Sequence, residues 1–111
     1  MNWNLLTRIE QLNAIDLESE IQTVLILKHS TRCGISSMAL SRLERKWQAE
    51  DSQKIKPYYL DLIRYREVSN AIVTRYGILH ESPQVLVIRN GRCIYSATHS
   101  EIVYEEIFAK L

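Results

Sequence analysis

Short apolar runs and helix-period stripes alternate along this chain. Leu5, Ile9, Leu12 and Ile15 recur at spacings of three and four, which predicts an amphipathic helix over 4–16. Val24-Leu25-Ile26-Leu27 is a short unbroken apolar run, the pattern of a strand covered on both faces. Ser30 and Thr31 are candidate caps, and Ile35, Ala39, Leu43 and Trp47 then repeat every four residues, predicting a helix with one apolar stripe. Pro57 opens a second strand at Tyr58-Tyr59-Leu60-Asp61-Leu62, since proline is tolerated at a strand's first position. Val68, Ile72 and Tyr76 mark a further helix that Gly77 stops. Pro83 leads into a third strand, 84–88, and Asn90-Gly91 is a two-residue hairpin signal joining it to a fourth, 93–98. Ile102, Ile107 and Leu111 give a closing helix over 101–111.

The predicted order is therefore α-β-α-β-α-β-β-α. A right-handed β-α-β crossover makes the first two strands parallel, and the hairpin adds antiparallel ones. The expected class is α/β, a four-stranded mixed sheet flanked by helices.

Length confines this pattern to a single domain, 1–111. The apolar fraction of 46% is ordinary for a globular chain and removes disordered and collagen-like readings. With 14 basic and 13 acidic residues the net charge is +1, so nothing in the balance favours a phosphate backbone, and no nucleic acid is expected as a partner. No apolar run approaches the length of a membrane span, and Met1-Asn2-Trp3-Asn4 has no basic region followed by an apolar one. The expected location is the cytoplasm, away from membranes, with a monomer favoured. The two cysteines, Cys33 and Cys93, are then expected to stay reduced.

The first strand runs straight into Lys28-His29-Ser30-Thr31-Arg32-Cys33-Gly34-Ile35-Ser36. A cysteine in a helix's first turn lies where free N–H groups and the positive end of the dipole favour negative charge. The thiolate is the attacking form of cysteine, so the placement suits a nucleophile. Arg32, Lys28 and His29 supply cationic neighbours, and Gly34 leaves the approach to the sulfur open. The spacing is C-x-x-S. Ser36 stands where a dithiol protein has its resolving cysteine; a hydroxyl forms no disulfide but can donate a hydrogen bond to the thiolate. The bland alternative is a small apolar cysteine that happens to begin a helix.

Tyr76-Gly77-Ile78, then Ser82-Pro83-Gln84 before an apolar strand and Asn90-Gly91, resembles the thioredoxin layout, in which that proline is cis and faces the active cysteine. More specifically, KHSTRC-x-IS (Lys28 to Ser36), YYLDL (58–62), Arg66 with Ser69-Asn70, HESPQ (80–84) and SATHSEI (96–102) resemble the monothiol bacilliredoxins, over roughly residues 24–102. That family usually shows T-C-P-I-S where this chain has Arg32-Cys33-Gly34-Ile35-Ser36. The resemblance implies a thioredoxin-like fold and a cytosolic enzyme that removes bacillithiol, or a similar small thiol, from protein mixed disulfides, with no cofactor. Its partners would be S-thiolated proteins and the small thiol.

The three histidines fall in the matching segments. Topology brings the loops of His29, His80 and His99 to one end of the sheet, where imidazoles can stabilise a thiolate or contact acidic groups of a small thiol. Each is equally readable as an ordinary loop or strand-end histidine, and their spacing carries no metal signature, so no metal is expected. Cys33 and Ser36 are thus the candidate catalytic residues. His29, Thr31, Arg32, Gly34, His80, Ser82, Pro83 and His99 are the candidates for contact with the substrate. Cys93 opens the fourth strand at the far end, roughly 20 Å from Cys33 by strand rise, and reads as a structural thiol. Arg64, Arg66 and Glu67 read as a solvated helix start. Two other functions stay open: a non-catalytic binding module of thioredoxin fold, and a glutathione-linked monothiol glutaredoxin-like protein.

Overall fold

The computed structural model describes all residues, 1–111. A short strand β1 (Asn4–Leu5) precedes helix α1 (Gln11–Glu18) and strand β2 (Thr23–His29). Helix α2 (Gly34–Lys46), a 3-10 turn (Ala49–Gln53), strand β3 (Ile55–Asp61) and helix α3 (Arg66–Tyr76) follow. Strands β4 (Gln84–Arg89) and β5 (Arg92–Thr98), a 3-10 turn (His99–Glu101) and helix α4 (Tyr104–Phe108) complete the chain. The sheet runs β1-β3-β2-β4-β5, with β2 parallel to β3 and antiparallel to β4.

The sheet has five strands where four were expected. The fifth comes from the segment read as the start of the first helix. Asn4 pairs with Tyr58 and Leu5 with Tyr59 in parallel register, and the Leu6 N–H donates to the Tyr59 carbonyl (2.9 Å). The helix starts only after the Gln11 side chain accepts the Thr7 and Arg8 N–H groups (2.7 and 2.9 Å). Three-residue spacing alone cannot separate a helix from a strand followed by a turn, and Ile9, counted in the stripe, is exposed. Pro57 lies inside β3 rather than at its start. It is tolerated because β1 pairs only with Tyr58 and Tyr59, so no strand needs a proline N–H there; the Asn4 amide donates to the Pro57 carbonyl (3.0 Å). The predicted closing helix is shorter than its apolar spacing suggested, reduced to Tyr104–Phe108 after the 3-10 turn.

Side-chain alternation on β2 divides the core. Val24 and Ile26 join Leu12, Ile15, Val68 and Ile72 under α1 and α3, while Leu25 and Leu27 join Ala39, Leu43, Trp47 and Ile107 under α2 and α4. Each such fully buried Leu or Ile contributes about 1.5–3 kcal/mol. The stripe predicted on α2 holds from Ala39 onward, but Ile35 is exposed and Ser36 takes the buried position. Gly77 closes α3 at φ +69° and Asn90-Gly91 turn the hairpin at φ +52° and +72°, both as the residue types require.

Candidate functional site around Cys33

Strand directions gather the candidate residues. Lys28 pairs with Gln84, and Gln84 with Thr98, so the end of β2, the start of β4 and the end of β5 lie side by side. Cys33 follows β2 and is itself the N-cap of α2, in extended conformation, with no side-chain cap from Ser30 or Thr31. The Cys33 N–H donates to the Ser30 carbonyl (3.2 Å), and the Ser37 N–H donates to the Cys33 carbonyl (3.1 Å). The thiol is half-buried. Thr31 and Arg32 are exposed beside it. Nothing lies within 4 Å of the point where a Cβ on Gly34 would sit, so a proline could occupy this first helical position without meeting a neighbour.

The Ser82-Pro83 peptide is cis, and Pro83 is buried at the head of β4. Its carbonyl accepts the His99 N–H (3.2 Å), which ties the end of β5 to the proline turn. His99 adopts φ +53° there, and its own carbonyl accepts Arg42 Nη2 (3.2 Å). Arg42 also donates to the Ile102 carbonyl (3.0 Å), so α2 is fastened to the same corner. Nothing in the spacing of Arg42 along the helix distinguished it from a solvated arginine.

Ser36 is fully buried, and its hydroxyl has other partners than the thiolate expected for it. Ser36 Oγ lies 2.7 Å from His29 Nδ1 and accepts the Ser30 N–H (3.0 Å). With that N–H on a lone pair, we assign the hydroxyl proton to Nδ1 and the imidazole proton to Nε2. The serine thus fastens the loop that carries Cys33 to the end of β2. His29 stacks at 5.5 Å on Tyr59; burial pushes its pKa down, against the pull of Asp61, Ser36 and Glu44, which favours the neutral ring. Substituting Ser36 by alanine leaves a buried Nδ1 without a partner, at a cost of about 1–3 kcal/mol. Denaturant titration of Ser36→Ala checks this, and an unchanged midpoint would show that the two hydrogen bonds contribute nothing.

The histidines do not converge as a trio. His29 lies on the α2 side of the sheet with Ser36, whereas exposed His80 sits 3.4 Å from Ser69 on α3, on the other side. His29 ends β2, whereas His80 lies in the loop between α3 and β4. No group of three or more His, Cys, Asp or Glu side chains is arranged to hold a metal ion. Cys93 pairs with Ile88, which pairs with Val24, about 17 Å of strand from His29. Burial raises its pKa, and its Sγ lies 3.3 Å from the Tyr95 carbonyl. Both cysteines are free thiols. No helix is long and apolar enough to cross a membrane.

Lys28 is the residue whose place the sequence concealed. It continues the apolar row of Val24 and Ile26, is fully buried, and its Nζ has no hydrogen-bond partner. Ser82 Oγ and Gln84 Oε1 are buried without partners as well.

Known proteins share this architecture. One solved structure, of a candidate oxidoreductase with a thioredoxin fold, is 26% identical, with a TM-score of 0.80 over 96% of this chain and 90% of that one. The thioredoxin of Malassezia sympodialis is 17% identical, with a TM-score of 0.75 over 97% of this chain and 86% of its own. That of Fasciola hepatica is 13% identical, with a TM-score of 0.73 over 97% and 99%. These likenesses establish the thioredoxin fold. The family described as "Monothiol bacilliredoxin BrxC" matches residues 4–107, taking in Cys33, the C-x-x-S spacing, the cis-proline turn and all three histidines. With nearly the whole chain matched and a thioredoxin-like sheet to carry it, this protein belongs to the monothiol bacilliredoxin family and has a role in thiol redox chemistry.

Proposed function

We propose that this protein removes bacillithiol, or a similar small thiol, from protein mixed disulfides, with Cys33 as its nucleophile. The observation that carries the reading is the position of the two sulfurs: Cys33 is half-buried at the helix start that follows β2, whose Lys28 pairs with Gln84 next to the cis Pro83, and Cys93 pairs with Ile88 toward the other end of the sheet. The Cys33 thiolate attacks the small-thiol sulfur of the mixed disulfide. The target's cysteine leaves as a thiolate and takes up a proton, and the small thiol stays on Cys33 as a new disulfide. A second molecule of thiol then attacks that disulfide, restoring the Cys33 thiolate and leaving as a symmetric disulfide. Ser36 supports this cycle from behind, through His29 and the loop. We assign Thr31, Arg32 and Gly34 in the Cys33 loop, and His80, Ser82, Pro83 and His99 at the adjoining ends of β4 and β5, to contact with the substrate. The reaction places the protein in the cytoplasm, where thiolated proteins and reduced small thiols meet.

Intact-mass measurement after exposure to the disulfide form of the small thiol tests the reading. One adduct, mapping to Cys33 and reversed by excess thiol, is the expected result. No adduct would leave a binding module of thioredoxin fold. An adduct formed with glutathione disulfide and not with bacillithiol disulfide would make the protein a glutathione-linked monothiol redoxin.

A further inference from the structure

The polar atoms left without partners lie together, on the side of the sheet away from His29. Lys28 and Gln84 are register neighbours on β2 and β4, on the face covered by α1 and α3. Ser82 is two residues before Gln84, and Lys28 Nζ, Ser82 Oγ and Gln84 Oε1 are all buried and unpaired. The Gln84 amide donates to the Leu79 carbonyl (3.0 Å), which holds the segment 77–82 above this spot. Exposed His80 reaches back to Ser69 on α3, and α3 begins at Arg66 with no side-chain cap. Burial pushes the pKa of His80 down, and the charges of Lys28 and Arg66 push it further; burial and then Arg66 lower that of Lys28, and Glu81 alone opposes at His80. Such mutual repulsion is what cations gathered without a matching acid produce.

An ammonium held in an apolar row with no partner is costly, and a leucine or methionine there would be more stable. The balance changes if an anion completes the cluster, because opposite charge is attracted strongly where water is scarce. The overall net charge of +1 does not explain a local excess of cations beside the cis-proline turn.

We infer that Lys28, Arg66 and His80 form an anion subsite for a carboxylate of the small thiol whose sulfur bonds to Cys33. Arg66 and His80 are its exposed mouth, and Lys28 is the fixed charge behind them. The inference rests on Cys33 being the nucleophile and adds what that nucleophile selects: a thiol that carries negative charge some bonds away from its sulfur. Attack by the Cys33 thiolate on a symmetric disulfide forms the Cys33 adduct and releases one thiolate of the same thiol, so the selectivity can be read with simple reagents.

The probes are the disulfides of mercaptosuccinate, a dicarboxylate, and of mercaptoethanol, which is neutral. The quantity is the ratio of their rates of Cys33 adduct formation, followed by intact mass in the wild type and in variants, so that the intrinsic reactivity of each reagent cancels. Lys28→Met and Arg66→Ala are each expected to lower the ratio about fivefold or more, whereas Arg92→Ala, which removes a positive charge at the far end of the sheet, leaves it unchanged. Arg66 is exposed, so its variant decides the matter even if Lys28→Met does not fold. Equal ratios in the wild type and Arg66→Ala overturn the subsite while leaving Cys33 as nucleophile. Failure of Cys33 to form an adduct with either disulfide overturns both.

Discussion

Replacing Cys33 with serine abolishes release of the target thiol from a small-thiol mixed disulfide, down to the rate of uncatalysed exchange, while Cys93→Ser stays within about twofold of the wild type. In a one-cysteine cycle a single protein sulfur changes partner. A serine hydroxyl at 33 neither ionises near neutral pH nor forms a disulfide. Cys93 is excluded by distance: it pairs with Ile88 and, through it, with Val24, whereas a disulfide needs Cα atoms within about 7 Å. The assay follows free target thiol with excess small thiol present to recycle the protein. If Cys93→Ser stops turnover while Cys33 still forms its adduct, Cys93 is a resolving cysteine and the chain must rearrange to bring it in. Loss of activity in both variants with no adduct on either would remove the nucleophile altogether.

Lys28→Met makes the protein more stable at neutral pH, and its advantage shrinks as the pH rises toward 10. Burial, with Arg66 adding to it, pushes the Lys28 pKa from 10.5 down to about 8. A shift of that size corresponds to about 3 kcal/mol between the two protonation states. The folded pKa lies below the unfolded one, so the unfolded chain binds more protons between about 8 and 10.5. The penalty is fully present below pH 8 and fades as the pH climbs through that window. Methionine fills nearly the same volume without a charge. The expected gain at pH 7 is therefore a substantial part of that 3 kcal/mol, and the gap between variant and wild type narrows by pH 10. Denaturant unfolding of both proteins at the two pH values checks it. A constant gap would mean that the ammonium is solvated in the folded protein and that Lys28 is not the buried charge described above.

The two predictions bear on different parts of the chain's legibility. Cys33 could be found from its neighbours in sequence alone. An apolar strand, a cysteine at the onset of a helical stripe, and serine three residues on are local features, and local features survive translation into structure because backbone geometry enforces them. The same holds for Gly77, whose left-handed conformation ends α3, and for Asn90-Gly91, whose paired positive φ angles turn β4 into β5. The far placement of Cys93 followed from counting residues along a strand, which needs only the rise per residue. Lys28, in contrast, stood in a motif and looked like one more basic neighbour of the thiol.

Alternation, helix-period stripes and turn residues in the sequence determined the parallel and antiparallel pairings, the α/β class and the place of Cys33 at the start of α2. Each depends on residues a few positions apart. The tertiary structure decided what depends on neighbours brought from elsewhere. Asn4–Leu5 becomes a strand only because β3 offers it an edge. Ser36 turns to His29 and Ser30 because the end of β2 lies beneath α2. His29 and His80 part because the end of β2 turns His29 to Ser36, whereas the loop before Pro83 carries His80 to Ser69 on α3. Lys28 is buried without a partner because α3 and the segment before Pro83 close over it, and the desolvation of a charge is set by everything around it, which no local stretch of sequence records.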